Sequence, residues 1–107
     1  MTNKQLTDIC KALSNETRLN ILQWMKTPEE NFPKRGCASE DEAELAGAVC
    51  VCAICEKAGI SQSTASQYLE TMERAGLLTL LRRGKWTYYR RNEETLRALA
   101  EYFGGEL

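Results

Sequence analysis

The chain contains no histidine. That absence removes the usual general base, the Ser-His and Cys-His nucleophile pairs and the His-based zinc motifs in one step, so enzymatic readings start from a weak position. Long apolar runs are missing too: nothing approaches the roughly 18 consecutive apolar residues of a membrane span. The opening stretch MTNKQLTDIC lacks the apolar core of a signal peptide. A cytoplasmic location with no membrane partner is the expectation. A large net charge is also lacking, at −1 overall, so contact with nucleic acid must come from a local basic patch rather than bulk polycation character. Aromatics are few at 7%, but hydrophobic residues reach 43% and charged ones 27%, a balance that folds rather than stays disordered. With 107 residues, the expectation is one domain spanning 1–107. So thin a core is naturally supplemented by docking two copies, which makes a homodimer the default.

Cysteine is the residue present in excess. Five is an odd number, and a reducing compartment keeps thiols unpaired, so a disulfide framework is a poor reading. Three of the five fall within CVCAIC, as Cys50, Cys52 and Cys55.

Periodicity orders the chain. Leu6, Ile9, Cys10 and Leu13 make the apolar stripe of a first helix, with Cys10 expected in the core. Ser14-Asn15-Glu16 opens a second helix that buries Leu19, Ile21, Leu22 and Met25. From Thr27 to Ala46 the prolines, Gly36 and the acids Glu40, Asp41, Glu42 and Glu44 predict a long surface loop. Residues 48–75 read as helix, tight turn and helix: Ala48 to Lys57, a stop at Gly59, then Ser61 as N-cap of a helix from Gln62 to Ala75. In that second helix Ala65, Leu69 and Met72 share the buried side. Leu77–Leu81 and Trp86–Arg90 flank Arg82-Arg83-Gly84-Lys85 as a β-hairpin spanning 77–91. Asn92 caps a final helix over 93–103 with Leu96, Leu99, Ala100 and Phe103 at helical spacing.

A helix-turn-helix followed by a basic hairpin is a winged helix, mostly α with a small β-hairpin, whose second helix enters the major groove of double-stranded DNA. Gln62, Ser63, Thr64, Ser66 and Gln67 give its start a short, hydrogen-bonding surface suited to base edges and phosphates. Arg82, Arg83, Lys85, Arg90 and Arg91 make the hairpin wholly basic between positions 82 and 91, with Arg82, Arg83 and Lys85 at the tip as phosphate contacts. The plain alternative for both is a solvated face.

Cys50, Cys52 and Cys55 bring three soft ligands into six residues, a set that suits As(III), Sb(III) and similar ions; no organic cofactor is expected. On a regular helix they would point to roughly 0°, 200° and 140°, so convergence needs Cys50 to lie before the helix, or the helix to distort. Packing as small hydrophobes is the alternative, and redox chemistry at the same thiols is another. Cys37, in the long loop, is expected to be incidental rather than a fourth ligand. A four-cysteine zinc knuckle fits the spacing poorly.

Four segments in order also resemble the ArsR/SmtB family of metal- and metalloid-responsive repressors: KALSNETRLNIL, CVCAIC, SQSTASQYLETMERAGLL and GKWTYYR. The resemblance implies a dimeric winged helix whose first and last helices meet across the dimer, here at Leu6, Ile9, Leu13, Leu96, Leu99 and Phe103. It also implies that As(III) or Sb(III) binds Cys50, Cys52 and Cys55 and releases an imperfect palindromic operator, with arsenite the first choice of inducer. This chain departs from the family at Tyr68, where a histidine is common, and in the length of the 27–46 loop. A winged helix used as a protein interaction module is a rival that predicts weak, non-specific DNA affinity.

Overall fold

The structure is a computed structural model and describes residues 1–32 and 46–106. Most of the expected 27–46 loop, with Cys37 and its acidic run, lies outside the described residues.

The first helix, α1 (Asn3–Ala12), is opened by a reciprocal cap: the Thr2 hydroxyl accepts from the Gln5 amide at 3.1 Å and the Thr2 amide donates to Gln5 Oε1 at 2.8 Å. It turns Ile9 and Ala12 into the core. Cys10, expected there as well, is exposed. The stripe that meets the rest of the protomer runs through Ile9 and Ala12, and Cys10 falls on its solvent flank. In α2 (Glu16–Trp24), Asn15 caps by accepting from the Arg18 amide at 3.0 Å, and Ile21 and Leu22 are buried. Within the span expected as loop, Pro28–Asn31 forms a short helix, α3, with proline at its start, where a missing N–H costs nothing. Asn31 holds it by donating to the Trp24 and Thr27 carbonyls.

The helix expected from Ala48 starts later. Val49–Cys50 is a strand, β1, and α4 runs Val51–Ala58 with extended Cys50 as its N-cap residue. The β-branched Val49 favours extension, and the strand Trp86–Arg91 supplies it with a partner. The helix-turn-helix is then α4, a turn through Gly59, and α5 (Gln62–Arg74). Gly59 takes φ +67°, which L side chains rarely adopt, and its amide and that of Ile60 both bond back to the Cys55 carbonyl. Ser61 caps α5, accepting from the Thr64 amide at 3.1 Å.

The wing is the antiparallel pair β2 (Leu78–Arg83) and β3 (Trp86–Arg91), joined by Gly84-Lys85 alone. Both basic residues before the turn therefore belong to the strand. Gly84 at φ +59° sits first in this two-residue turn, the position that hairpins of this twist reserve for glycine. The expected two-stranded hairpin is in fact the larger part of a three-stranded sheet in the order β1-β3-β2, with Val49 opposite Tyr89 and Cys50 opposite Tyr88. Asn92 caps α6 (Glu93–Glu101), which runs into a π-helical turn over Tyr102–Glu106.

One core unites Ile9, Ala12, Ile21, Ile54, Ala65, Leu69, Met72 and Leu77, all at most 2% exposed. The three buried positions expected on α5, Ala65, Leu69 and Met72, are at 0%. A smaller cluster of Ala48, Cys50 and Tyr88 lies between β1 and the wing. Among the described residues no helix is long and apolar enough to cross a membrane.

Candidate DNA interface and thiol site

Burying Ala65, Leu69 and Met72 against the core turns the opposite side of α5 outward. Gln62, Ser63, Ser66 and Gln67 are exposed and Thr64 is half-buried, so the polar start of the helix is presented as an accessible surface. Thr64 also receives a hydrogen bond from the Ser61 hydroxyl at 2.9 Å, which ties it to the cap. Tyr68 does not share this surface. It is half-buried, its hydroxyl accepts from Asn15 Nδ2 at 3.4 Å, and the Arg18 guanidinium lies 5.1 Å from its ring centre. Arg18 in turn donates to the Ala12 carbonyl at 2.6 Å. Tyr68 thus joins the recognition helix to the junction of α1 and α2, a role that the spacing in the sequence did not disclose.

On the wing, Arg82 and Lys85 are exposed and Arg83 is half-buried, its guanidinium donating to the Arg82 carbonyl at 2.7 Å. Lys85 carries its ammonium 5.0 Å over the Trp86 ring, a cation–π contact that holds the charge at the tip. The other two basic residues serve the scaffold: Arg91 donates to the Leu22 carbonyl at 3.1 Å and pairs with Glu93 at 2.9 Å, and Arg90 donates to the Ala46 carbonyl at 3.3 Å.

The cysteines divide. Because Cys50 is extended and Cys52 lies in the first turn of α4, their sulfurs meet at 3.1 Å. Cys50 is buried against Ala48 and Tyr88, and half-buried Cys52 packs with Trp86 and Leu81 on the same cluster. Cys55 lies about 4.5 Å further along the helix axis than Cys52 and packs against the main core instead. Burial pushes the Cys55 thiol up; its backbone hydrogen bond acts the other way and nearby Cys50 adds to the rise. Among the described residues no three Cys, Asp or Glu side chains are gathered as one cation would require. The structure therefore brings Cys50 and Cys52 together and leaves Cys55 apart.

The thiol pair opens on a cleft of about 580 Å³ between α5 and the wing, bordered by Gln62 and Ser66 on one side and Arg82, Lys85 and Trp86 on the other. Glu70 and Glu73 also line it. There Tyr89 has its phenol pushed up, by burial first and then by Glu73 and Glu70. Sequence reasoning missed this shared cleft and the pairing of Cys50 with the wing. No sequence signal announced either, because a two-residue strand carries no period of its own.

Of the residues expected at a dimer contact, Leu6, Leu13, Leu96 and Leu99 are half-buried and Phe103 is 50% exposed. Ile9, at 2%, is taken up by its own protomer's core.

Residues 44–79 match the bacterial regulatory protein arsR family. An uncharacterized HTH-type transcriptional regulator of Bacillus subtilis (strain 168), YbzH, is 46% identical over 94% of this chain and 96% of its own length. A putative arsenical resistance operon repressor of Halobacterium salinarum, ArsR2, is 33% identical over 81% of this chain, which spans 59% of that protein. Among solved structures, a homodimeric winged helix-turn-helix DNA-binding domain from Mycobacterium bovis, a possible ArsR-family regulator, superposes with a TM-score of 0.64 at 28% identity, over 96% of this chain and 81% of that one. A helix pair with a polar reading face, a basic wing beside it and relatives of this kind lead to one conclusion: the chain belongs to the arsR family of bacterial regulatory proteins and is a DNA-binding winged helix-turn-helix transcriptional regulator, not an enzyme.

Proposed function

We propose that this regulator is a cytoplasmic homodimeric repressor that holds an imperfect palindromic operator and releases it when a thiophilic trivalent metalloid binds at Cys50 and Cys52. The observation that carries the reading is the 3.1 Å approach of those two sulfurs across the junction of α4 with β1, the strand hydrogen-bonded to the wing. The donor set fits such an ion: two soft thiolates, at a bond of about 2.3 Å and an angle near a right angle, stand about 3.3 Å apart. Arsenic is the first choice and antimony the second, supported by the arsenical resistance named for the Halobacterium relative. When bound, the metalloid supplies a covalent clamp across the strand–helix junction. Cys50 and Cys52 would hold it, while Cys55 packs against the main core and is not gathered with them in one three-ligand group among the described residues.

The dimer reading rests on α6, which has no buried residue, and on the half-exposed Phe103 beyond it. Two copies of α5 related by a two-fold axis would read two half-sites, which is why the operator is expected to be palindromic.

The test starts from a duplex that the protein selects from a random pool. Specific binding with a steep salt dependence, lost on adding arsenite together with the rise of a thiolate-to-metalloid absorption band, is the expected outcome. Unchanged affinity with no band contradicts the metalloid half. The same sulfur contact also favours a second reading, in which peroxide closes the pair to a disulfide of about 2.05 Å. Loss of DNA that occurs without metalloid and is reversed by dithiothreitol marks that alternative.

A further inference from the structure

Neither DNA contact nor metalloid binding calls on Glu73 or Tyr89, yet both line the cleft between α5 and the wing. Strand register puts Tyr89 there: it lies opposite Leu80, so the two side chains share one face of the hairpin. On α5, Ser66, Glu70 and Glu73 recur at helical spacing along the side that meets this face. The space between, about 580 Å³, is in the range of small-molecule sites. Tyr89 is 7% exposed, and its hydroxyl makes no hydrogen bond. Because no fully buried side-chain oxygen among the described residues lacks a partner, that hydroxyl opens on the cleft. Glu73 is half-buried and in no ion pair, whereas Glu70 is bridged by Arg74. Both carboxylates raise the pKa of the Tyr89 phenol, which places them near it, but neither accepts a hydrogen bond from it.

Three acceptors with a gap between them call for one group carrying several N–H donors. A bare metal ion fits less well, since no three Cys, Asp or Glu side chains are gathered for it among the described residues. Leu80 and Trp86 add an apolar wall that would cover the rest of an organic molecule. We infer that the cleft binds a small aromatic cation, its ammonium or amidinium group held by Glu73, Glu70 and the Tyr89 hydroxyl, its ring against Leu80 and Trp86. The exposed Arg82 and Lys85 oppose it weakly, because salt screens exposed charges beyond about 8 Å. This input is separate from the thiols and goes beyond the metalloid reading. Gln62, Ser66 and Arg82 border the same cleft, so an occupant competes with DNA for the space between helix and wing.

The test uses the full chain and three probes: benzamidine, its neutral isostere benzamide, and acetamidine, a cation without the ring. Binding is read by isothermal titration calorimetry and by ligand-detected saturation-transfer NMR, with a melting curve to show that each variant is folded. Benzamidine is expected to bind one per chain, about tenfold or more tighter than either of the others. Glu70→Gln/Glu73→Gln should weaken it about tenfold or more, and Tyr89→Phe about threefold or more. Cys50→Ser/Cys52→Ser should leave it within about twofold. Saturating benzamidine should weaken binding of the selected duplex, and the duplex should weaken benzamidine binding by the same factor. No binding of benzamidine, benzamide binding as tightly, or unaltered affinity in a folded Glu70→Gln/Glu73→Gln variant would each overturn the inference. So would a chain that holds benzamidine and duplex together with no loss of affinity for either. None of these results bears on arsenite at Cys50 and Cys52, so the metalloid reading stands or falls separately.

Discussion

Leu69 and Tyr68 are neighbours on the recognition helix with opposite duties. Leu69 is at 0% exposure in the main core. Leu69→Ala should lower unfolding stability by about 2–5 kcal/mol, read from urea denaturation, because the cavity cannot fully collapse among Ile54, Ala65 and Met72. Tyr68→Phe removes only the 3.4 Å hydrogen bond to Asn15 and keeps a ring for Arg18. Its expected cost is about 1 kcal/mol or less, with sequence preference for DNA unchanged. Gln62→Ala should behave the other way, leaving the melting curve in place and costing about 1–3 kcal/mol of discrimination at one base pair, measured by competition between duplexes. A Tyr68→Phe variant that changed operator preference would contradict the assignment of Tyr68 to the α2 contact.

At the level of elements, the helices are legible in the sequence wherever periodicity and caps agree. Asn15, Ser61 and Asn92 all cap as their residue types suggest, and Ala65, Leu69 and Met72 are buried together as their spacing requires. Residues 48–50 are not legible, because a two-residue strand carries no period of its own. It is extended because β3 offers it backbone partners at Tyr88 and Tyr89, some forty residues away in sequence. The same long-range pairing decides the thiol site. By making Cys50 extended, it brings Cys50 to Cys52 and leaves Cys55 apart, a split that helical angles alone could not give. Cys10 departs from expectation for a related reason: a stripe drawn from apolarity does not say which flank meets the protomer's own core. The wing offers its own test. Replacing Arg82 and Lys85 with alanine should weaken binding to all duplexes alike and lower the slope of log affinity against log salt by about 0.9 for each phosphate no longer neutralised. An unchanged slope would show that the wing tip does not touch the backbone of DNA.

Across the whole molecule, the three roles proposed for this regulator would depend on one small core. α1 and α6 carry half-buried leucines, Phe103 is half-exposed in the turn beyond α6, α5 and the wing form the proposed reading surface, and the thiol pair lies at the junction of β1 and α4. Phe103→Glu should shift the protein toward monomer, raising the dimer dissociation constant about tenfold or more in sedimentation velocity. Since one half-site alone holds little DNA, affinity for the selected duplex should fall with it. On the proposed mechanism the coupling is reciprocal, so a bound operator is expected to weaken metalloid uptake by the same factor. The most direct measurement is fluorescence anisotropy of the labelled duplex, titrated with arsenical against the unaltered chain and against Cys50→Ser/Cys52→Ser. The expected result is a loss of DNA affinity of about tenfold or more for the unaltered chain, with none for the double variant, which still binds DNA. An equal response from both proteins would contradict control through this pair of sulfurs.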